Sequence, residues 1–366
     1  MDNQIKLTNI NIDSDTQREY AIYGYGIVGR MLRKILERLE QKVTAFVCSD
    51  GYKTQDLVEH LSVRELSDYV ANVSDKGKVL VTVQSGVEYV LEALRRYENL
   101  EVVLVNSAED FDRIYRWFYQ LYFEEKGVDI SQDFLDLDGV KYLNPFKQKA
   151  SYSSPFFSEC GDLVLPAIYN DLSSIFEGPY ERKRVKVEAE DVVIDCGSNM
   201  GLFSVAVANR CRQIYAFEPV PKAQEYILDV CKMYPNIQLC KYALGDYTGK
   251  VLFSAREDES YNNCIIKDTD ARGAEGIYVD ITTIDEFVKV NDIEKIDFIK
   301  ADIEGAEREM LRGAKETLRK FAPKLSICEY HLPDDPEVLE KIILEANPNY
   351  IVEHDYMKLY AYVPQQ

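Results

Sequence analysis

The sequence predicts an α/β protein of two doubly wound units, each built on a mainly parallel sheet. Apolar strand-like runs alternate with amphipathic helical stretches over residues 20–106, and the alternation returns at Val185 and runs to Val363. In each stretch the first apolar run ends in a glycine turn that leads into a helical pattern, GYGIVG at Gly24–Gly29 and GSNMG at Gly197–Gly201. The expected organisation is a small nucleotide-binding-type domain at 1–108, a helical, aromatic-rich connector at 109–184, and a second α/β domain at 185–366.

In the first domain, YAIYGYG reads as a strand and turn, IVGRMLRKILERLEQ as a helix and VTAFVCSD as a strand. LSVRELSDYV reads as helical, KVLVTVQ as a strand, VEYVLEALRRY as a helix and EVVLVN as a strand. In the connector, FDRIYRWFYQLYFEEKG places Phe111, Tyr115, Phe118 and Tyr122 at helical spacing, which predicts a packing face. That face is also the place where two copies of the chain could meet. In the second domain the expected strands are VVIDCG, QIYAFE, IQLCKYAL, KVLFSA, IYVDITTI, IDFIKAD, KLSICEYH, YIVEHDY and LYAYV. Helices are expected at GLFSVAVANR, KAQEYILDVCKMY, EREMLRGAKETLRKF and PEVLEKIILEA. The short turn between the last two strands predicts an antiparallel hairpin closing a parallel sheet.

The chain of 366 residues is long enough for two proper cores. Its net charge of −20 would be repelled by a phosphate backbone, so nucleic acid is not an expected partner. No run of 18 apolar residues is present and the N-terminal residues are polar and acidic, so a cytoplasmic chain without a membrane span is expected. The eight cysteines form no Cys-x-x-Cys pair, which fits reduced thiols. The three histidines, His60, His331 and His354, show no zinc spacing, and no metal is expected.

The most informative stretch is VVIDCGSNMG at Val192–Gly201 followed by IYAFEP at Ile214–Pro219. Open α/β sheets bind nucleosides at the carboxyl end of such strands. Gly197 and Gly201 let a ligand approach the backbone, and Ser198 and Asn199 offer hydroxyl and amide groups. Glu218, ending the second strand, suits a ribose diol because a carboxylate accepts from both hydroxyls. The turn is Gly-x-x-x-Gly rather than the Gly-x-Gly-x-x-Gly of dinucleotide binders, and Asp195 precedes it, where a pyrophosphate would be disfavoured. An acid there suits an ammonium, which points to S-adenosylmethionine, a cofactor with an amino group and no phosphate.

Two further strand ends carry ionisable groups. FIKADIEGAE, Phe298–Glu307, places Lys300, Asp302 and Glu304 on one strand face, where burial without a use is costly. LSICEYH, Leu325–His331, places Glu329 and His331 on one face, and a histidine there can take a proton from an attacking hydroxyl. Lys300 and Asp302 as a simple ion pair, and His331 as a surface residue, are the competing readings. Asp302, Glu304 and His331 all stand as candidate catalytic groups.

From Val185 onward the chain resembles the FkbM family of S-adenosylmethionine-dependent methyltransferases. EGPYE at Glu177–Glu181, VVIDCGSNMG, YAFEP, YALGD at Tyr242–Asp246, TTIDEF at Thr282–Phe287, FIKADIEGAE and ICEYH carry the resemblance, in matching order and spacing. It implies a class I methyltransferase fold, a Rossmann-like domain whose mainly parallel sheet has an antiparallel C-terminal strand. It also implies Asp195, Gly197, Asn199 and Gly201 at the methionine end of the cofactor, with Glu218 and Pro219 at the ribose. The Ala243–Leu244 backbone would lie near the adenine. Cys196 and Ser198 depart slightly from the family's usual small residues. The activity implied is O-methylation of a hydroxyl of a sugar, glycan or natural product.

The first domain is similar to the small Rossmann-like domains at the N-terminus of bacterial glycan-modifying enzymes. Gly24, Gly26 and Gly29 form a Gly-x-Gly-x-x-Gly after a strand, and Asp50 ends the next strand. Gln84 and Ser85 follow the third strand and are further candidate contacts. A nucleotide or nucleotide sugar as ligand and a purely structural role both fit. The alternatives for the whole chain are an NAD(P)-dependent oxidoreductase using that domain, and a nucleotide-sugar-binding protein. The segment Arg256–Gly276, rich in charge and asparagine, is the expected loop over the acceptor.

Overall fold

The computed structural model describes residues 6–7, 10–11, 19–58, 60–73, 77–83, 86–137, 139–144, 146–147, 179–254, 265, 276–355 and 357–364. The chain divides into two compact units, Met1–Ser131 and Gln132–Gln366. The divide places the aromatic helix in the first unit and a hairpin at 134–143 in the second.

In the first unit, β1 (Lys6–Leu7) and β2 (Ile10–Asn11) form a small antiparallel pair. A six-stranded sheet follows, built from β3 (Glu19–Tyr23), β4 (Lys42–Cys48), β5 (Leu57–Val58), β6 (Leu61–Glu65), β7 (Gly77–Val81) and β8 (Leu100–Leu104). Its order is β5-β6-β4-β3-β7-β8, parallel throughout except for the edge strand β5. The order reverses at β3, which puts the Gly24–Gly29 turn at a switch point. The turn leads into α1 (Ile27–Arg38); α2 (Leu66–Asn72), α3 (Val87–Leu94) and α4 (Ala108–Glu125) complete the unit.

Two expectations shift here. LSVRELSDYV is not one helix, because its first half pairs in register with Phe46–Cys48 as strand β6 and only Leu66–Asn72 is helical. Ladder hydrogen bonds to a neighbouring buried strand override the local helical pattern. In α4 the buried stripe is Ile114, Phe118, Tyr119 and Phe123, while Phe111, Tyr115 and Tyr122 are half-buried. Ser107 caps this helix with a reciprocal Ser107–Asp110 pair, and the helix packs against α1.

The second unit opens with the hairpin β9 (Phe134–Leu137) and β10 (Val140–Leu143). Its main sheet comprises β11 (Val192–Cys196), β12 (Gln213–Phe217), β13 (Ile237–Cys240), β17 (Phe298–Ala301), β18 (Lys324–Cys328), β19 (Ile351–Asp355) and β20 (Lys358–Tyr362). The order is β13-β12-β11-β17-β18-β20-β19, and only β20 runs antiparallel to its neighbours. The switch point lies between β11 and β17, both buried along their whole length, so their carboxyl ends open one crevice. Three short strands, β14 (Ala243–Leu244), β15 (Gly249–Phe253) and β16 (Ile277–Thr282), form a separate sheet rather than extending the main one.

The helices of this unit are α5 (Leu202–Ala208), α6 (Pro221–Met233), α7 (Ile284–Val290), α8 (Glu307–Arg312), α9 (Lys315–Phe321) and α10 (Asp335–Ala346). EREMLRGAKETLRKF is two helices, not one. A Cβ at Gly313 would overlap the Gly245 carbonyl oxygen and meet the Thr283 side chain, and the Gly313 carbonyl accepts from Asp285 N at 2.9 Å. The glycine that ends the first helix is also what lets these backbones pack so closely. Ile194, Ile299, Leu325, Ile327, Met310, Leu318, Leu339 and Ile343 belong to the core between sheet and helices.

Candidate active site

Two clusters meet at the carboxyl ends of β11 and β17. The first is the glycine turn. Gly197 N and Ser198 N both donate to the Phe217 carbonyl, at 3.1 and 2.9 Å, which ties the turn to the end of β12. Gly197, Asn199 and Gly201 have φ values of 72°, 44° and 75°. At Gly197 only glycine fits, because a Cβ would overlap the Asp302 carbonyl oxygen as well as demand a left-handed backbone. Ser198 is buried and its hydroxyl donates to the Phe217 carbonyl.

Glu218 holds the turn from the side. Its Oε2 accepts from Asn199 N at 3.0 Å and its Oε1 from Val220 N at 2.7 Å. Each carboxylate oxygen keeps a second lone pair for a ribose hydroxyl. Burial outweighs the Val220 and Asn199 donors and pushes this carboxyl up to about 7. Pro219 is half-buried beside it, and Ala243 and Leu244 are buried in β14.

Asp195 is placed differently from the sequence expectation. It is 0% exposed, and its Oδ1 lies 3.1 Å from Lys300 Nζ while its Oδ2 accepts from Ser204 Oγ at 2.7 Å. The two residues are register partners across β11 and β17, so the pairing follows from the sheet. The ammonium beside Asp195 is therefore the protein's own. Lys300, 3% exposed, also donates to the Gly197 carbonyl at 2.7 Å, so the ion pair braces the turn.

The second cluster follows β17 and β18. The strand ends at Ala301, and Asp302, Glu304 and His331 come together in the loops beyond. Asp302 N donates to the Cys196 carbonyl at 3.1 Å, which fixes this cluster against the glycine turn. Tyr180 donates its hydroxyl to Asp302 Oδ2 at 2.7 Å, with its ring against Phe203 and under Lys300 and Lys358. Burial tends to raise the Asp302 carboxyl, but Lys300, the Tyr180 hydroxyl, Lys358 and His331 together hold it below the ordinary carboxylate range.

His331 Nε2 lies 3.4 Å from Glu304 Oε2 and 3.7 Å from Asp302 Oδ1, and Nδ1 lies 3.2 Å from Glu307 Oε1. Burial opposes charge on the ring, yet Glu304, Glu307 and Asp302 outweigh it and raise its pKa to about 10. A raised value favours the charged ring, which suits the role of base less well than the carboxylates beside it. Glu329 pairs elsewhere, with its Oε2 2.7 Å from His354 Nδ1.

Tyr180 and Glu307 are members of the site that residue spacing alone does not single out. Their partners lie far off in sequence or behind a loop, although Tyr180 falls within the EGPYE motif and Glu307 closes FIKADIEGAE. In the first unit, Gly24 has φ 101°, Gly26 faces open space, and a Cβ at Gly29 would overlap the Gly24 carbonyl. Asp50 Oδ1 accepts from Ser67 N at 3.0 Å. Gln84, Ser85 and nearly all of Arg256–Gly276 lie outside the described residues. Among the described residues no helix is long and apolar enough to cross a membrane.

Residues 195–356 match the family model described as the methyltransferase FkbM domain. A curated relative, the hexuronic acid methyltransferase AglP of Haloferax volcanii, is 27% identical over 164 residues, 44% of this chain; the chain spans 64% of that relative's length. Among solved structures, the methyltransferase FkbM of Methylobacillus flagellatus is similar at a TM-score of 0.42 and 19% identity, over 94% of this chain and 90% of that one. An rRNA methylase of Streptococcus thermophilus is similar at a TM-score of 0.31 and 13% identity, over 49% of this chain and 90% of that one. The match of residues 195–356 begins within β11 and encloses the glycine turn, Glu218, Asp302, Glu304 and His331, so the site of the second unit lies inside the stretch that is similar to the methyltransferase FkbM domain.

Proposed function

We propose that the second unit is an S-adenosylmethionine-dependent O-methyltransferase acting on a sugar or glycan. The observation that carries this reading is the contact between two clusters. A glycine turn flanked by Glu218, fit for a nucleoside with an amino-acid tail, abuts an acidic cluster through the Asp302–Cys196 backbone hydrogen bond. Gly197, Asn199 and Gly201 would hold the methionine end of the cofactor, Glu218 would take the ribose hydroxyls, and the Ala243–Leu244 backbone would hold the adenine. Asp195 acts by bracing the turn through Lys300.

The sulfonium makes the methyl carbon electrophilic, so the protein's main task is in-line positioning of the acceptor. The acceptor oxygen forms a bond to the methyl carbon, the carbon–sulfur bond breaks and its electron pair stays on sulfur. The acceptor proton passes to a carboxylate of the second cluster, Asp302 or Glu304. The name of the Haloferax relative favours acidic sugars as the acceptor class. A chain of net charge −20 disfavours nucleic acid as acceptor. The oxidoreductase alternative draws no support from the family match.

A second reading concerns the first unit. Its three glycines fall into the roles a dinucleotide turn needs: Gly24 with a left-handed backbone, Gly26 open to a pyrophosphate, Gly29 packed against the strand. We infer a nucleotide or nucleotide-sugar site there, and Gly26→Val is expected to abolish nucleotide binding while leaving the melting of the second unit unchanged. For the main reading, the full chain is incubated with S-adenosylmethionine and a panel of neutral and hexuronate-containing glycans, and products are read by mass spectrometry. Methylation of a glycan is expected, and absence of transfer to every member of a panel spanning both classes would count against a glycan acceptor.

A further inference from the structure

We propose that Asp302, Glu304 and His331 form a binding site for one divalent metal ion beside the methyl-transfer crevice. One donor atom from each lies within 4.8 Å of the others. The 3.4 and 3.7 Å between His331 Nε2 and the two carboxylates compare with the roughly 3.0–3.6 Å that separates neighbouring ligands around an ion at about 2.0–2.2 Å. Two carboxylates and one imidazole are a donor set suited to Mn2+ or Zn2+, and three protein ligands leave positions for water or an acceptor oxygen.

His331 distinguishes this cluster from a patch of surface acids. Its side chain is 10% exposed, and neither ring nitrogen meets an acceptor in hydrogen-bond geometry although three carboxylates surround it. A buried imidazole satisfied by hydrogen bonds would point its N–H groups along those carboxylates. Here Nε2 is aimed into the space between Asp302 and Glu304. Glu307, 1% exposed, stands behind the ring at 3.2 Å from Nδ1, where a carboxylate backs a metal-bound imidazole. Tyr180 likewise fixes the Asp302 oxygen that faces away, at 2.7 Å.

The role of the ion rests on the methyltransferase reading. An acidic sugar would be repelled by Asp302, Glu304 and Glu307, and a cation among them removes that repulsion. An acceptor hydroxyl bound to the ion releases its proton to a carboxylate oxygen of Asp302 or Glu304. Its oxygen then bonds the methyl carbon as the carbon–sulfur bond breaks, and the electron pair stays on sulfur as a neutral thioether.

The test is titration of the chelator-stripped full chain with Mn2+, following free Mn2+ by electron paramagnetic resonance. One site is expected, weakened at least about tenfold by Glu304→Gln and by His331→Gln, with Glu345→Gln as a distant surface control that leaves it unchanged. Circular dichroism establishes that each variant is folded. Failure of the wild type to bind Mn2+, or equal binding by wild type and both variants, would overturn the site. S-adenosylmethionine binding is measured on the same stripped protein by calorimetry. Cofactor binding without Mn2+ binding sinks the cation site alone. Mn2+ binding at Glu304 and His331 without cofactor binding keeps the site and sinks its role in methyl transfer.

Discussion

Replacing Lys300 with methionine removes one half of a fully buried ion pair while keeping nearly the same volume. Asp195 would be left inaccessible to water with Ser204 Oγ as its remaining partner, and the Gly197 carbonyl would lose its 2.7 Å donor. Breaking a buried pair on one side costs about 3–5 kcal/mol because the stranded charge has no solvation. For a unit of this size that corresponds to a fall in Tm of about 6–20 °C. The double variant Asp195→Asn/Lys300→Met removes both charges and keeps a hydrogen-bonding amide for Ser204, so most of the lost stability returns. Cofactor affinity does not return with it, because the brace under the turn is gone. The assay is thermal unfolding of the three proteins by circular dichroism, with calorimetric titration of S-adenosylmethionine on each. A Lys300→Met protein that melts with the wild type would refute the reasoning, as would a double variant no more stable than the single one.

Further outcomes follow from the same geometry. Because burial holds the Glu218 carboxyl at about 7, S-adenosylmethionine affinity should fall about tenfold from pH 8 to pH 6 as the carboxylate takes up a proton, and Glu218→Gln should flatten that dependence. The linked stability has a definite sign. A folded-state value above the unfolded one means that the native protein binds more protons between about pH 4.5 and 7, so this group's contribution to stability falls as pH rises through that window. Gly197→Ala should destabilise the second unit by about 1–3 kcal/mol from the left-handed backbone alone, with overlap on the Asp302 carbonyl adding to it, read as a lowered Tm. Tyr180→Phe removes a donor to Asp302 and should move the acid limb of the kcat/KM profile to higher pH, whereas an unchanged profile would take Asp302 out of the proton path.

Much of the architecture was legible because it is written in local pattern. The apolar run Val192–Cys196, the glycines after it and the acid ending the next run declare a strand, a turn and a second strand without reference to the rest of the chain. The closing hairpin was legible for the same reason, and Lys358–Tyr362 does run antiparallel to β18. Long-range register was not legible. Asp195 and Lys300 read as two separate functional charges, and only the pairing of β11 with β17 makes them partners of each other. Likewise nothing local tells that the segment from Leu61 lies beside β4, or that Gly313 must press on the Gly245 carbonyl. The acidic cluster shows the limit most clearly. Asp302, Glu304 and His331 have no metal-like spacing, and the loops after two adjacent strands bring their donor atoms together.

The central claim is that a nucleoside with an amino-acid tail binds over the Gly197–Gly201 turn with its ribose on Glu218. Calorimetric titration of the full chain with S-adenosylmethionine, wild type against Glu218→Ala, tests it most directly. One site is expected in the wild type, weakened at least about tenfold in the variant by loss of the hydrogen bonds to the ribose. A wild type that leaves S-adenosylmethionine unbound, or a Glu218→Ala protein that binds it as tightly as the wild type, would contradict it.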